Sequence, residues 1–176
     1  MPVALRRVAA VAVRAFRAPR TAVSRLPHRV HLTYVDLYRH MNYATYLEVM
    51  ELGRWDWGFR SGAVRRWLAE RLMPVVVKVN IEYRRELKPL QRFVVDTRLV
   101  AAERRMLRFD QYLLVDDKVH AKASVYALMR RRGRVVGADV AARFAAAFLS
   151  EPLEVVGHRV VTRRDHAASA AAPAAG

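Results

Sequence analysis

An α+β roll is the fold class this sequence predicts: an antiparallel sheet of about five strands wrapped around one long central helix. Three observations predict it. Residues 41–57 read as a helix that is apolar on nearly every side, through Met41, Tyr43, Ala44, Tyr46, Leu47, Val49, Met50, Leu52, Trp55 and Trp57, and such a helix is buried on most faces. From Val75 onward the apolar period switches from helical to two and stays there through four runs. Those runs follow one another too closely for crossover helices, so neighbours must pair as antiparallel hairpins. A sheet with one apolar face and one apolar helix to cover will curl around that helix.

Taken in order, residues 1–27 form a separate basic segment. It holds Arg6, Arg7, Arg14, Arg17, Arg20 and Arg25 and no acid. At about 100° per residue, Arg6, Arg7, Arg14 and Arg17 share one arc of a helix, with Leu5, Val8, Ala12 and Phe16 opposite. That amphipathic helix, broken before Pro19, suits peripheral contact with an anionic membrane through residues 1–18. It equally suits a transit peptide in a eukaryotic source, giving a mitochondrial location, or an Ala-rich leader with no role. The main domain covers residues 28–157, and residues 158–176 are a tail, disordered at its Ala-rich end.

Within the domain, residues 28–35 read as the first strand, before the long helix. A second, short helix covers 63–71, and Pro74 separates it from the next strand. There Val75, Val77, Val79, Ile81 and Tyr83 alternate with Val76, Lys78, Asn80, Glu82 and Arg84. Pro89 marks a turn. Strands follow at 92–102, with Phe93, Val95, Thr97 and Leu99 on one face, at 106–115 and at 119–130. Asp116, Asp117 and Lys118 read as a tight hairpin. Residues 131–134, around Gly133, end the last long strand, and 138–149 form a short Ala-rich helix.

Composition bounds the chemistry. There is no cysteine, which excludes disulfides, zinc–thiolate sites and cysteine nucleophiles. Thirty-two Lys and Arg against 16 acids give a net charge of +16, a field that attracts polyanions, including phosphorylated cofactors. No motif for DNA or RNA accompanies that charge, so no specific nucleic acid is expected. The apolar stretch 8–13 is far shorter than a membrane span, and Arg14, Arg17 and Arg20 interrupt any secretory signal. A cytoplasmic protein is expected. His28 and His31, three apart, fall on opposite faces of a strand, and no metal site is read. Residues 58–62 do not form the Gly-x-Ser-x-Gly elbow.

The residues that carry chemistry lie just before the long helix. A helix N-terminus offers free N–H groups that suit a developing negative charge, and it favours a nearby carboxylate. Asp36 is placed to activate water as a general base or to attack a carbonyl itself. By spacing alone it is as readily a turn or cap residue. Glu51 and Arg54 can pair along the helix, and Glu48 is a weaker second acid. Arg84, Arg85, Lys88 and Arg92 cluster near a strand end. They suit phosphate groups or make an ordinary solvated edge.

The stretch 34–54, Tyr-Val-Asp-Leu-Tyr-Arg-His-Met-Asn-Tyr-Ala-Thr-Tyr-Leu-Glu-Val-Met-Glu-Leu-Gly-Arg, resembles the signature of hot-dog thioesterases of the 4-hydroxybenzoyl-CoA thioesterase-like group. The closest likeness is to the thioesterase-superfamily-member-6-like branch. Asp36, His40, Met41, Asn42, Ala44, Tyr46, Leu47, Glu51 and Arg54 match in register, and residues 83–93 resemble the family's second strand and turn. Two positions depart: Arg39 replaces a usual glycine, and Tyr43 replaces the second asparagine of a pair. The resemblance implies a hot-dog fold and hydrolysis of an acyl-CoA or acyl carrier protein thioester to free acid and thiol. It casts Asp36 as base or nucleophile and puts the polarising amide at Tyr43. His40 and Asn42 would shape the pocket, and Arg39 would narrow it or meet the substrate. It implies a homodimer or homotetramer with the site between subunits, and no cofactor, coenzyme A being part of the substrate. The alternative is a non-catalytic hot-dog protein that binds an acyl chain or scaffolds at a membrane.

Overall fold

The computed structural model describes residues 3–161. The chain opens with helix α1 (Val3–Phe16), then strand β1 (Val23–Arg29), a 3-10 turn at Leu32–Tyr34, helix α2 (Tyr43–Ser61) and helix α3 (Ala63–Ala69). Strands β2 (Leu72–Tyr83), β3 (Arg92–Glu103), β4 (Met106–Val115) and β5 (Lys118–Arg131) follow. The short strand β6 (Arg134–Val135), helix α4 (Ala138–Ala146) and the small strands β7 (Val155–Val156) and β8 (Arg159–Val160) complete the order. All pairings are antiparallel, and the long strands run β1-β3-β4-β5-β2. This is the predicted α+β roll, with α2 against the inner face of the sheet.

Local sequence explains the helix and its limits. Asn42 caps α2 by accepting the Ala44 N–H on its side-chain oxygen at 2.9 Å, a contact of about 1 kcal/mol. Gly62 ends α2 in the left-handed region at φ 86, which glycine adopts without strain. Tyr46, Val49, Met50 and Trp57 are buried along α2, each contributing roughly 1.5–3 kcal/mol of apolar burial. The Trp57 Nε1–H donates to the Ala22 carbonyl at 3.0 Å, so this core indole is satisfied. At Gly53 the helix meets the sheet so closely that a Cβ would stand 2.7 Å from Thr97 Oγ1 and 2.8 Å from Val95 Cγ1.

The predicted turns hold. Asp116 and Asp117 sit at φ 47 and 60, forming a two-residue hairpin with both central residues left-handed, the geometry that matches strand twist. The predicted first strand does not hold. The strand is Val23–Arg29, paired with β3, and the chain then turns through the 3-10 segment. His28 and His31 therefore face each other, ring centroids 5.9 Å apart, rather than standing on opposite faces. Pro74 lies inside β2, not before it. Proline is tolerated there because β2 is an edge strand, paired among the described residues only with β5.

The basic helix α1 packs on α2, with Val11 and Ala15 buried. Phe16, placed on its apolar side by periodicity, is instead exposed. Residues 162–176, which include the tail read as disordered, lie outside the described residues.

Candidate active site

The loop from β1 to α2 is pinned by its own backbone. Val35 and Met41 form a bridge, the Asp36 N–H donates to the His40 carbonyl at 3.0 Å, and the Arg39 N–H donates to the Asp36 carbonyl at 3.0 Å. The Asp36 carboxylate closes the same turn from within: Oδ1 accepts the Tyr38 N–H at 2.9 Å and the His40 N–H at 3.3 Å. Oδ2 has no partner among the described residues. Beside it starts α2, whose first residue, Tyr43, has no intrahelical acceptor for its N–H.

The opposite wall is the loop that follows β2. The Met41 N–H donates to the Leu87 carbonyl at 3.0 Å, tying this loop to the entrance of α2. The Arg84 and Arg85 N–H groups both donate to the His120 carbonyl, at 2.8 and 3.0 Å. His120 Nδ1 lies 2.9 Å from the Glu86 carbonyl, which only accepts, so the ring donates there. Burial holds this imidazole below its ordinary pKa. His40 Nε2 and Glu86 Oε2 meet at 2.8 Å across the opening.

Between the walls lies a cleft of about 390 Å³. It brings together Asp36, His40, Tyr43, Arg84 and Arg85, which sequence had singled out. It also recruits Tyr38, Met41, Tyr46, Tyr83 and Glu86. Tyr83 anchors an aromatic cluster, with ring centroids 4.8 Å from Tyr43 and 5.0 Å from Tyr46. Burial pushes the Tyr46 hydroxyl up to about 12, against a hydrogen bond to the Leu87 backbone that pulls the other way. Period-two alternation put Tyr83 on a strand face, yet nothing local said that its end reaches the helix start. Glu86 gave no signal at all, since its partner lies 46 positions earlier in the chain.

Three predicted residues fall outside the cleft lining. Arg39 is exposed and holds φ 63, a left-handed conformation that costs a residue with a Cβ roughly 1–2 kcal/mol. The same φ explains why glycine suits this position. Asn42 is spent on the helix cap. Lys88 is exposed, and its N–H donates to Gln91 Oε1 at 2.9 Å. Within the basic cluster, Arg84 is engaged by Glu82 at 2.8 Å and by the Gly157 carbonyl at 3.0 Å. The Arg85 side chain is exposed, with no ion pair among the described residues.

Other pairings differ from expectation. Arg54 donates to Gln111 Oε1 at 2.7 Å rather than pairing with Glu51, and burial lowers its pKa to about 10. Gln111 in turn donates to the Met50 carbonyl and to Thr97 Oγ1, both at 2.8 Å. Glu48 pairs with Arg7 at 2.8 Å. A smaller cavity of about 120 Å³ lies beside Arg54, walled by Trp55, Trp67 and Phe109.

Known proteins resemble this chain in sequence and in fold. The model of the thioesterase-like superfamily matches residues 30–148. The long-chain acyl-CoA thioesterase FadM of Escherichia coli (strain K12) is 43% identical over 53 residues, 30% of this chain and 39% of that protein. The chain thus aligns with about two fifths of this curated relative. The crystal structure of YbaW, a probable thioesterase from Escherichia coli, superposes with a TM-score of 0.67 at 22% identity, covering 72% of this chain and 99% of that one. A hypothetical protein from Staphylococcus aureus, in complex with CoA, superposes with a TM-score of 0.64 at 14% identity, covering 82% and 98%. The likeness to these structures is one of fold, the hot-dog roll. With the family's pattern running through most of the domain and its helix and sheet in the expected arrangement, the chain belongs to the thioesterase-like superfamily.

Proposed function

We propose that the protein hydrolyses acyl-CoA, or acyl carrier protein thioesters, to a free acid and a thiol in the cleft at the start of α2. The observation that carries this reading is the Asp36 carboxylate. One oxygen is fixed by two backbone amides, the other is open, and the cleft begins beside it. Held this way, the open oxygen can take a proton from water or attack the thioester carbonyl directly. The Tyr43 N–H, at the positive end of α2, supports the carbonyl oxygen as it gains charge. His40, held by Glu86, shapes the rim, and the Tyr46–Tyr83 cluster offers apolar surface to the acyl group. Arg85 is suited to the phosphates of coenzyme A, with Arg84 and Lys88 adding field, and Arg39 sits at the cleft's outer approach. No further cofactor enters the reaction, since coenzyme A arrives as part of the substrate.

The same reading includes a second copy of the chain, as homodimer or homotetramer. Its support is an edge of β2, unpaired among the described residues, that exposes Met73, Val76, Val77 and Tyr83, with the exposed Tyr43 of α2 packed on Tyr83. No helix among the described residues is long and apolar enough to cross a membrane. Exposed Val13 and Phe16, with Arg6, Arg17 and Arg20 around them, support a peripheral contact of a cytoplasmic enzyme with anionic lipid.

The test is thiol release from a panel of acyl-CoAs by wild type and Asp36→Asn. Asparagine keeps the oxygen that accepts the two turn amides, so folding is preserved. Turnover should fall about 10²- to 10⁴-fold with the melting temperature retained. Equal turnover in both proteins would remove Asp36 from the reaction. Tight acyl-CoA binding by wild type with no thiol release on any substrate would instead establish the non-catalytic acyl-binding alternative, for which Arg39 and Tyr43 are the favouring residues.

A further inference from the structure

A second cleft, of about 290 Å³, lies between α1 and β1. Most of it is built from residues before position 30, outside the stretch shared with the superfamily. Its floor is apolar, through the buried Val11, Leu26 and Leu52. Arg7, Arg14, His28 and His31 also line it, and no carboxylate does. The two cations differ. Arg7 is paired with Glu48 at 2.8 Å and lies over the Tyr34 ring. The Arg14 side chain has no partner among the described residues.

The His28 ring is held on three sides. It stacks on Tyr34 at 6.0 Å and meets His31 and Phe93 edge-on. Its Nε2 is buried with no hydrogen-bond partner, an unfavourable state for a polar atom. Burial, then His31 and Arg7, push this imidazole down to about 4. The ring is therefore neutral near pH 7 and adds no charge to the cleft. With Arg7 already balanced by Glu48, Arg14 leaves about one uncompensated positive charge. That matches a monoanion better than a doubly charged phosphate. The volume lies at the lower end for small-ligand sites.

We propose that this cleft binds a small carboxylate carrying a short apolar tail, its charge on Arg14 beside the His28 ring and its tail on Val11, Leu26 and Leu52. The inference is independent of thioester hydrolysis and of Asp36. It is tested by following the imidazole resonances of His28 and His31 by NMR in the full chain. The probes are octanoate, octanol and inorganic phosphate. Octanoate should shift His28 saturably in wild type and in Asp36→Ala. Its affinity should fall at least tenfold in Arg14→Ala and in Ala10→Trp, which fills the cleft from an exposed position. Octanol and phosphate should leave His28 unmoved. No saturable shift with octanoate, an unchanged affinity in both variants, or an equal response to octanol or phosphate would overturn the proposal.

Discussion

The two Asp36 oxygens differ in their surroundings. Oδ1 is a structural acceptor, closing a turn that Arg39 completes in a strained conformation, while Oδ2 is the atom that the proposed hydrolysis would use. The turn role and the proposed reactive role fall on the same carboxylate, which is why spacing alone could not separate the two readings. His28 carries the residue-scale prediction. Its folded pKa of about 4 lies below the ordinary 6.5, held there by burial, His31 and Arg7. Between those values the unfolded chain binds a proton that the folded chain does not. Stability therefore falls as pH drops from about 6.5 to 4. A His28→Phe variant should show a shallower decline in melting temperature over that window. Matching declines in the two proteins would show that His28 is not the group responsible.

The central helix was legible because its signals are local. Its apolar residues lie within one stretch, although the reading of 41–57 did not find the Asn42 cap or the end at Gly62, which set the helix at Tyr43–Ser61. The first strand was not legible: residues 28–35 contain apolar side chains, but the pairing partner that defines a strand sits in β3. Register with Phe93 and Val95 selects Val23–Arg29 instead. The predicted pairing of Glu51 with Arg54 failed for a related reason, because Gln111, delivered by β4, competes for the guanidinium. Close contact between elements gives the prediction at this scale. A Gly53→Ala change places a methyl group within 2.8 Å of Val95 and closer still to Thr97. It should destabilise the fold by about 1–3 kcal/mol in denaturant unfolding, despite alanine's better helix propensity. A neutral or stabilising result would mean that α2 can lift from the sheet at little cost.

At the scale of the whole molecule, one edge of β2 is free among the described residues. Of its twelve residues only Leu72 is buried, and a long, partly apolar edge invites pairing with another strand. A second copy of the chain, as proposed above, would satisfy that edge. Sedimentation of wild type should give a dimer or larger. Val77→Lys, a charge placed on a 48% exposed position of the edge, should shift it toward monomer. A wild type that sediments as monomer across the micromolar range would rule out assembly through this strand.

By itself the sequence determined the elements that depend on neighbours in the chain: the apolar period of α2 and of the strands, the Asp-Asp hairpin, and the Asp36-to-Arg54 pattern. Only the tertiary structure decided which side chains meet across distance. It brought Glu86 to His40, Tyr83 to the start of α2 and His28 to His31, and it spent Asn42 and Arg84 on structural bonds. Periodicity fixes which face a residue occupies. The partner on that face is chosen by how the sheet curls, and that depends on every strand at once.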